Sequence, residues 1–202
     1  MLEFLDHIDR IIFLFLNGMH SSFWDAVMYW VSGRLSWLPL YLLITGYLIY
    51  RYKWKVVIIL FLVTLLITMS DQGSVHLFKE VFKRLRPCHN PEISHLVHIV
   101  REHCGGRYGF VSSHAANSFA VASYSLLIIR NRYYSIFIIL WASLISYSRI
   151  YLGVHYPGDI IGGAIWGVIV GYIIYRLYYF IGRIIDNRRV YNKEGNGNVL
   201  LP

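Results

Sequence analysis

Three short stretches of this 202-residue chain hold charged and imidazole side chains at fixed spacing. In "KEVFKRLRP", Lys79 is followed by Arg86 and Pro87; in "VSSHAAN", Ser112, Ser113 and His114 precede an apolar run; in "SRIYLGVHYPGD", Arg149, His155 and Asp159 stand close together. Two arginines and a lysine can hold a tetrahedral anion. The guanidinium fork pairs with phosphate oxygens, and the ammonium adds a compact charge. Ser112 and Ser113 open a helix, where unpaired backbone N–H groups favour an anion. The two histidines of these stretches differ in their neighbours: His155 has a carboxylate four residues on, across the Pro157-Gly158 turn, and His114 has no acid nearby. Asp159 on Nδ1–H of His155 would fix the tautomer and leave Nε2 a free lone pair, making His155 a nucleophile. His114 would protonate the leaving oxygen and then take a proton from water. The chemistry expected of such a set is hydrolysis of a phosphate monoester or diphosphate through a phosphohistidine.

The elements that must position these residues are helices built for lipid. The chain is 56% hydrophobic and 15% charged, against about 25% charged in an ordinary soluble domain. Several apolar runs approach the roughly 20 residues that cross a bilayer. The fold class expected is all-α: a polytopic helical membrane protein of five to six transmembrane helices with an N-terminal interfacial helix. Spans are expected over 37–50, 56–78, 113–129, 133–148 and 160–181. Residues 4–33 alternate short apolar stretches with polar breaks, which reads as one or two amphipathic helices at the interface, with a sixth span as the alternative. No cleavable signal peptide is expected, because "IIFLFL" is short and follows Asp6, Asp9 and Arg10. Residues 1–182 form the membrane-embedded domain and 183–202 a basic, partly disordered cytoplasmic tail.

Orientation rests on the short loops. "RYKWK", "RNR" and the tail with Arg183, Arg188, Arg189 and Lys193 fall on one side, taken as cytoplasmic. The opposite side also carries Lys79, Lys83, Arg84, Arg86, Arg101, Arg107 and Arg149, so the positive-inside rule supports this choice only if function holds some of those charges there. Span counting then brings the Lys79–Gly109 loop and the 149–159 turn to one face. The net charge of +8 sits at the ends of apolar runs rather than on one polar face, which fits anionic headgroups and excludes nucleic acid as the natural partner.

Lys-x6-Arg-Pro, Ser-x-His and Ser-Arg-x5-His-x3-Asp together resemble the three-part signature of the type-2 phosphatidic acid phosphatase superfamily. The resemblance covers residues 79 to 163 by motif. It implies a membrane lipid phosphatase in which His155 is the nucleophile, Asp159 its orienting partner and His114 the general acid and base. Lys79, Arg86, Arg149, Ser112 and Ser113 would bind phosphate. The family's hydrolases are metal-independent, so neither a metal nor another cofactor is implied. Where the family's second motif usually reads Pro-Ser-Gly-His, this chain has Val111, Ser112, Ser113 and His114, and Ser113 offers a hydroxyl in place of the glycine's close backbone approach. The expected substrate is a membrane lipid phosphate: undecaprenyl diphosphate or another polyprenyl phosphate first, then lipid A phosphate and phosphatidylglycerol phosphate. The expected setting is the cytoplasmic (inner) membrane of a bacterial envelope with the site on the periplasmic face, in a monomer or weak oligomer. A phosphotransferase using the same histidine, and a non-enzymatic headgroup binder or scramblase, stay open.

Other polar residues need a reason to be in lipid. Asp71, Gln72 and His76 of the second span read as a hydrogen-bonded helix pair, with contact to the site or a substrate headgroup as the alternative. Cys88 and Cys104 are the whole cysteine complement and are expected to face an oxidising compartment. A disulfide bracing the strip between Arg86-Pro87 and Ser112 is the simplest reading. Two free thiols, or a metal site with His89, His95, His98 and His103, are the alternatives. The glycines at 162, 163, 167 and 171 read as a helix-packing stripe.

Overall fold

The computed structural model describes residues 2–197 except Arg34 and His103; side chains of Leu2, Glu3 and Glu102 and from Asp186 onward lie outside the description. Helices α1 (Leu2–Gly18) and α2 (Ser22–Ser32) lead into α3 (Leu38–Tyr52) and α4 (Val56–Gly73). A π-helical turn, Ser74–Lys79, and the single turn α5 (Glu80–Phe82) follow. After an irregular loop come α6 (Ser113–Ile129), α7 (Arg132–Tyr151) and α8 (Pro157–Gly197). Among the described residues there is no strand, only an isolated bridge between Leu85 and Tyr108.

Three helical stretches are long and apolar enough to cross a membrane: Leu38–Phe82, Arg132–Tyr151 and Pro157–Ile185. The first is two passes. Its backbone breaks at Lys53, where φ is +50°. Trp37 and Tyr41, at the start of α3, pack on Trp141 in the middle of α7, whereas the Tyr52 hydroxyl, at its end, donates to Ile128 O (2.7 Å) at the end of α6. With α6, a buried helix of 17 residues, five helices run between the two ends of the bundle, as the hydropathy pattern predicts. The expected span over 56–78 is helical throughout, with the α-helical pattern giving way to the π-helical turn after Gly73. A Cβ at Gly73 would lie 2.4 Å from Cζ2 of Trp166, so glycine there admits the indole. Trp166 in turn donates to Ser70 O (3.1 Å).

Helix α6 is the core, held between α8, α7 and α4. The glycine stripe of α8 presses on it: a Cβ at Gly163, Gly167 or Gly171 would fall 2.6, 2.2 or 2.0 Å from Ser112 O, Ala116 O or Ser123 Oγ. Backbone contact this close is how helices associate where no water drives them together. The turn from α6 to α7 is tight because Arg130 adopts a left-handed conformation and Asn131 caps α7, accepting from Tyr134 N (3.0 Å). Leu62, Leu66, Tyr124 and Ile174 fill the space between α4, α6 and α8.

The N-terminal helices meet at 116°. They dock on the loop end of the bundle, where Phe13 is buried with Ile93, Ile150 and Tyr156. Asn17 ties that end together, donating to His98 O (3.0 Å) and Tyr151 O (2.8 Å) while accepting from His98 N (2.8 Å). At the other terminus α8 continues through Gly182 to Gly197, where the sequence reading began a tail. Its last stretch, 198–202, lies outside the described residues.

Candidate active site

The loop between α7 and α8 sets the site. Helix α7 stops because Gly153 turns left-handed (φ +78°), and a Cβ there would sit 2.5 Å from His98 O. The chain then runs through His155 into Pro157, which starts α8 with a preset φ. Asp159 falls in the first turn. Its Oδ2 accepts from Nδ1 of His155 (3.2 Å) and from Tyr156 N (3.1 Å), and its Oδ1 accepts from Arg84 Nη1 (3.1 Å). Both residues are sealed, His155 at 2% exposure and Asp159 at 0%.

In sequence Arg84 is only one of several loop charges. Its second nitrogen pairs with Asp6 and Asp9 of α1, at 2.8 Å each, and its guanidinium lies over the Tyr156 ring, 4.2 Å from the centroid. Asp9 also accepts from Gly158 N (2.8 Å) at the start of α8. The N-terminal helix therefore clamps the carboxylate that holds His155. The signal available in sequence was two aspartates a helical turn apart, Asp6 and Asp9, facing an unplaced arginine.

The cations sit on separate supports. Lys79 ends the π-helical turn, a device that recurs at functional sites, and its Nζ donates to Ser113 Oγ (2.6 Å). Ser113 also shares a hydrogen bond with Ser74 (2.6 Å), so the hydroxyl at the family's glycine position braces the lysine. Arg86 donates to Tyr108 O and Cys104 O (3.3 Å each), above Gly105, whose φ of +80° and closeness to the guanidinium demand glycine. Arg149 bonds Ser32 of α2. The strip carrying Arg86 is tied by Arg86 N to Arg107 O (3.1 Å), by Gly109 N to Arg84 O (2.8 Å) and by a Cys88–Cys104 disulfide. The sulfurs of Cys88 and Cys104 are thus not thiolates, although His89 lies beside them. His98 bonds Asp25 (2.9 Å) and stacks on His20, and His103 is outside the described residues.

Lys79, Arg86, Ser113, His114, Arg149 and His155 open onto one cavity of about 810 Å³. It runs inward past Asp71 and Asn117 and along Tyr41, Ile59, Ile67 and Trp141. Ser112 is not among its walls. It stands at the N-cap of α6 without a side-chain capping bond, is fully buried, and its backbone N–H donates to Asp159 O (3.0 Å). Gln72 and His76 bond each other (3.1 Å) on the exposed side of their helix, away from the cavity. Burial, then the charges of Arg86, Arg149 and Lys79, hold the pKa of His155 well below 6.5. The imidazole is neutral at neutral pH, with Nδ1–H on Asp159 and Nε2 as the lone-pair nitrogen.

A helical bundle built for lipid, with a buried His–Asp pair and three cations around one cavity, defines a membrane phosphatase. The chain belongs to the PAP2 superfamily, whose family model matches residues 52–183. It is 44% identical over 191 residues to the lipid A 4'-phosphatase of Bacteroides thetaiotaomicron, covering 93% of this chain and 83% of that protein. To the lipid A 4'-phosphatase of Porphyromonas gingivalis it is 35% identical over 180 residues, covering 89% and 76%. Its fold is similar to the crystal structure of a transmembrane PAP2-type phosphatidylglycerolphosphate phosphatase from Bacillus subtilis (TM-score 0.66, 23% identity, covering 88% of this chain and 87% of that one).

Proposed function

We propose that the protein is a lipid phosphatase that removes the 4'-phosphate of lipid A through a phosphohistidine on His155. The observation that carries the chemistry is the buried His155–Asp159 pair opening onto the cavity shared by His114, Lys79, Arg86 and Arg149. Two lipid A 4'-phosphatases that align over most of their length support lipid A as the substrate, ahead of the polyprenyl phosphates that the sequence alone puts first. Phosphate sits among the three cations. Nε2 of His155 attacks phosphorus, the N–P bond forms as the P–O ester bond breaks, and His114 gives its proton to the departing sugar oxygen. Water then attacks the phosphohistidine, passing a proton to His114, and the N–P bond breaks to release inorganic phosphate and neutral imidazole. Asp159 stabilises the imidazolium formed on attack and stays ionised. The site faces the periplasm from the inner membrane, where the phosphate of an outer-leaflet lipid reaches it while acyl chains stay in the bilayer.

The test is phosphate release by purified protein in detergent, in EDTA, from lipid A, phosphatidic acid and polyprenyl phosphates. Release from lipid A, inhibition by vanadate and loss in His155→Ala are expected. Strict dependence on added Mg²⁺, or full activity in His155→Ala, would refute the mechanism.

A further inference from the structure

One polar pair in the cavity has no part in that chemistry. Asn117 lies one helical turn beyond Ser113 along α6, and Asp71 lies one turn before Ser74, whose hydroxyl donates to Asp71 O (2.7 Å). Both residues line the cavity that Lys79 and Ser113 also line. Their satisfaction is poor. Asn117 Nδ2 donates to Asp71 Oδ1 at 3.5 Å, the limit of a hydrogen bond, and Asn117 Oδ1 is buried with no partner among the described residues. An acceptor left unpaired in a low-dielectric site is costly, and a ligand that donates to it relieves that cost.

The chemistry of the pair says what such a ligand must carry. A carboxylate only accepts hydrogen bonds, and so does the amide oxygen. Neither can hold a phosphate dianion, and Asp71 would repel one. The cavity is therefore split. Its outer rim of Lys79, Arg86 and Arg149 donates and is cationic, while its floor of Asp71 and Asn117 accepts. A fitting substrate has an anionic phosphate with O–H or N–H donors a few atoms away. A sugar phosphate has these; a phosphate on a plain isoprenoid or diacylglycerol does not.

We infer that Asp71 and Asn117 form a headgroup-recognition pair that selects lipids whose phosphate is borne on a hydroxyl- or amide-bearing sugar. The inference rests on the phosphatase reading above and adds the source of its selectivity. The pair accepts from ring hydroxyl or amide groups and turns the sugar so that its phosphate meets His155.

The experiment compares kcat/KM for lipid A and for phosphatidic acid in the wild type, in Asp71→Asn and in Asn117→Ala, with thermal unfolding of each protein in detergent. The wild type is expected to prefer lipid A, and each variant to lower that preference by about tenfold to a hundredfold, the worth of a buried hydrogen bond to a charged or uncompensated group. Asn117→Ser, a milder change, carries the test should either variant unfold. A uniform fall on both substrates would mark Asp71 as a structural or charge-balancing residue and overturn the inference. So would an unchanged preference. A wild type that hydrolyses phosphatidic acid but spares lipid A overturns the inference and leaves a phosphatase; one that releases phosphate from no lipid overturns both.

Discussion

Sealed off from the cavity, the carboxylate of Asp159 takes hydrogen bonds from three donors, at 3.1 to 3.2 Å. On the cavity wall, the carboxylate of Asp71 takes one, at 3.5 Å. The two acids are built for opposite uses. Asp159 is well satisfied, sealed and clamped by Arg84 and α1, so its geometry is fixed before substrate arrives and no ligand reaches it. Asp71 and Asn117 are held to each other by one long hydrogen bond, and Asn117 Oδ1 is buried with no partner among the described residues. A saturated group orients a neighbour; an unsaturated one waits for a partner.

The largest effect expected from breaking this contrast is at Asp159. Asp159→Asn keeps the shape but removes the charge and offers an N–H toward Nδ1, reversing the tautomer. By analogy with the same change in serine protease triads, kcat should fall by roughly 10³ to 10⁴, read as steady-state phosphate release. Asp71→Asn, the same chemical change on the loose side, should act mainly on substrate preference. A loss at Asp71 as deep as that at Asp159, on every substrate, would erase the distinction.

Arg84 sharpens the comparison because it touches Asp159 and not the cavity. Arg84→Gln should lower kcat by about 10 to 100-fold, the usual range for a residue that orients another, with KM nearly unchanged. A rise in KM alone would make Arg84 a phosphate ligand instead. The Cys88–Cys104 disulfide braces the strip that carries Arg86 and closes a loop of 16 residues. The Cys88→Ser, Cys104→Ser double variant should lose about 3 kcal/mol of stability, seen as a lower unfolding temperature. That shift should appear in wild type on adding reductant and be absent in the variant.

The smallest expected effect is on pH dependence. The reactive form of His155 is neutral, and its pKa is held below 6.5 by burial and the three cations. As pH falls, kcat/KM should therefore hold through 6.5 and decline only below it, where the nucleophile gains a proton. Arg86→Gln removes the largest of the charge effects, raises that pKa and should move the acidic limb to higher pH. An acidic limb above 6.5 in wild type, or one that Arg86→Gln leaves in place, would contradict the electrostatic account.

What the sequence disclosed and what it hid divide along the same line. His155 and Asp159 are four residues apart on one turn, so covalent spacing alone brings them together, and Lys79 and Arg86 lie close in sequence. The spans followed from apolar length, and the meeting of two distant polar stretches followed from counting them. Arg84 stayed unread because its partners, Asp6 and Asp9 on one side and Asp159 on the other, are each about 75 residues away. The same holds for Ser74 with Ser113 and for Asp71 with Asn117, which meet only once α4 and α6 pack. Its place at a helix start marks Ser112 as a pocket residue in sequence, but a capping position does not say which way its hydroxyl turns. In this structure Ser112 is fully buried and does not line the cavity, while its carbonyl packs close to Gly163 of α8.

The claim on which the rest depends is that His155 becomes phosphorylated. Protein mixed with lipid A carrying ³²P at the 4'-phosphate and quenched in alkali within the first turnover should hold an alkali-stable, acid-labile label, and peptide mapping should find it on His155. Label on a serine or aspartate, or turnover with no labelled protein at any time point together with inversion at phosphorus, would contradict the account.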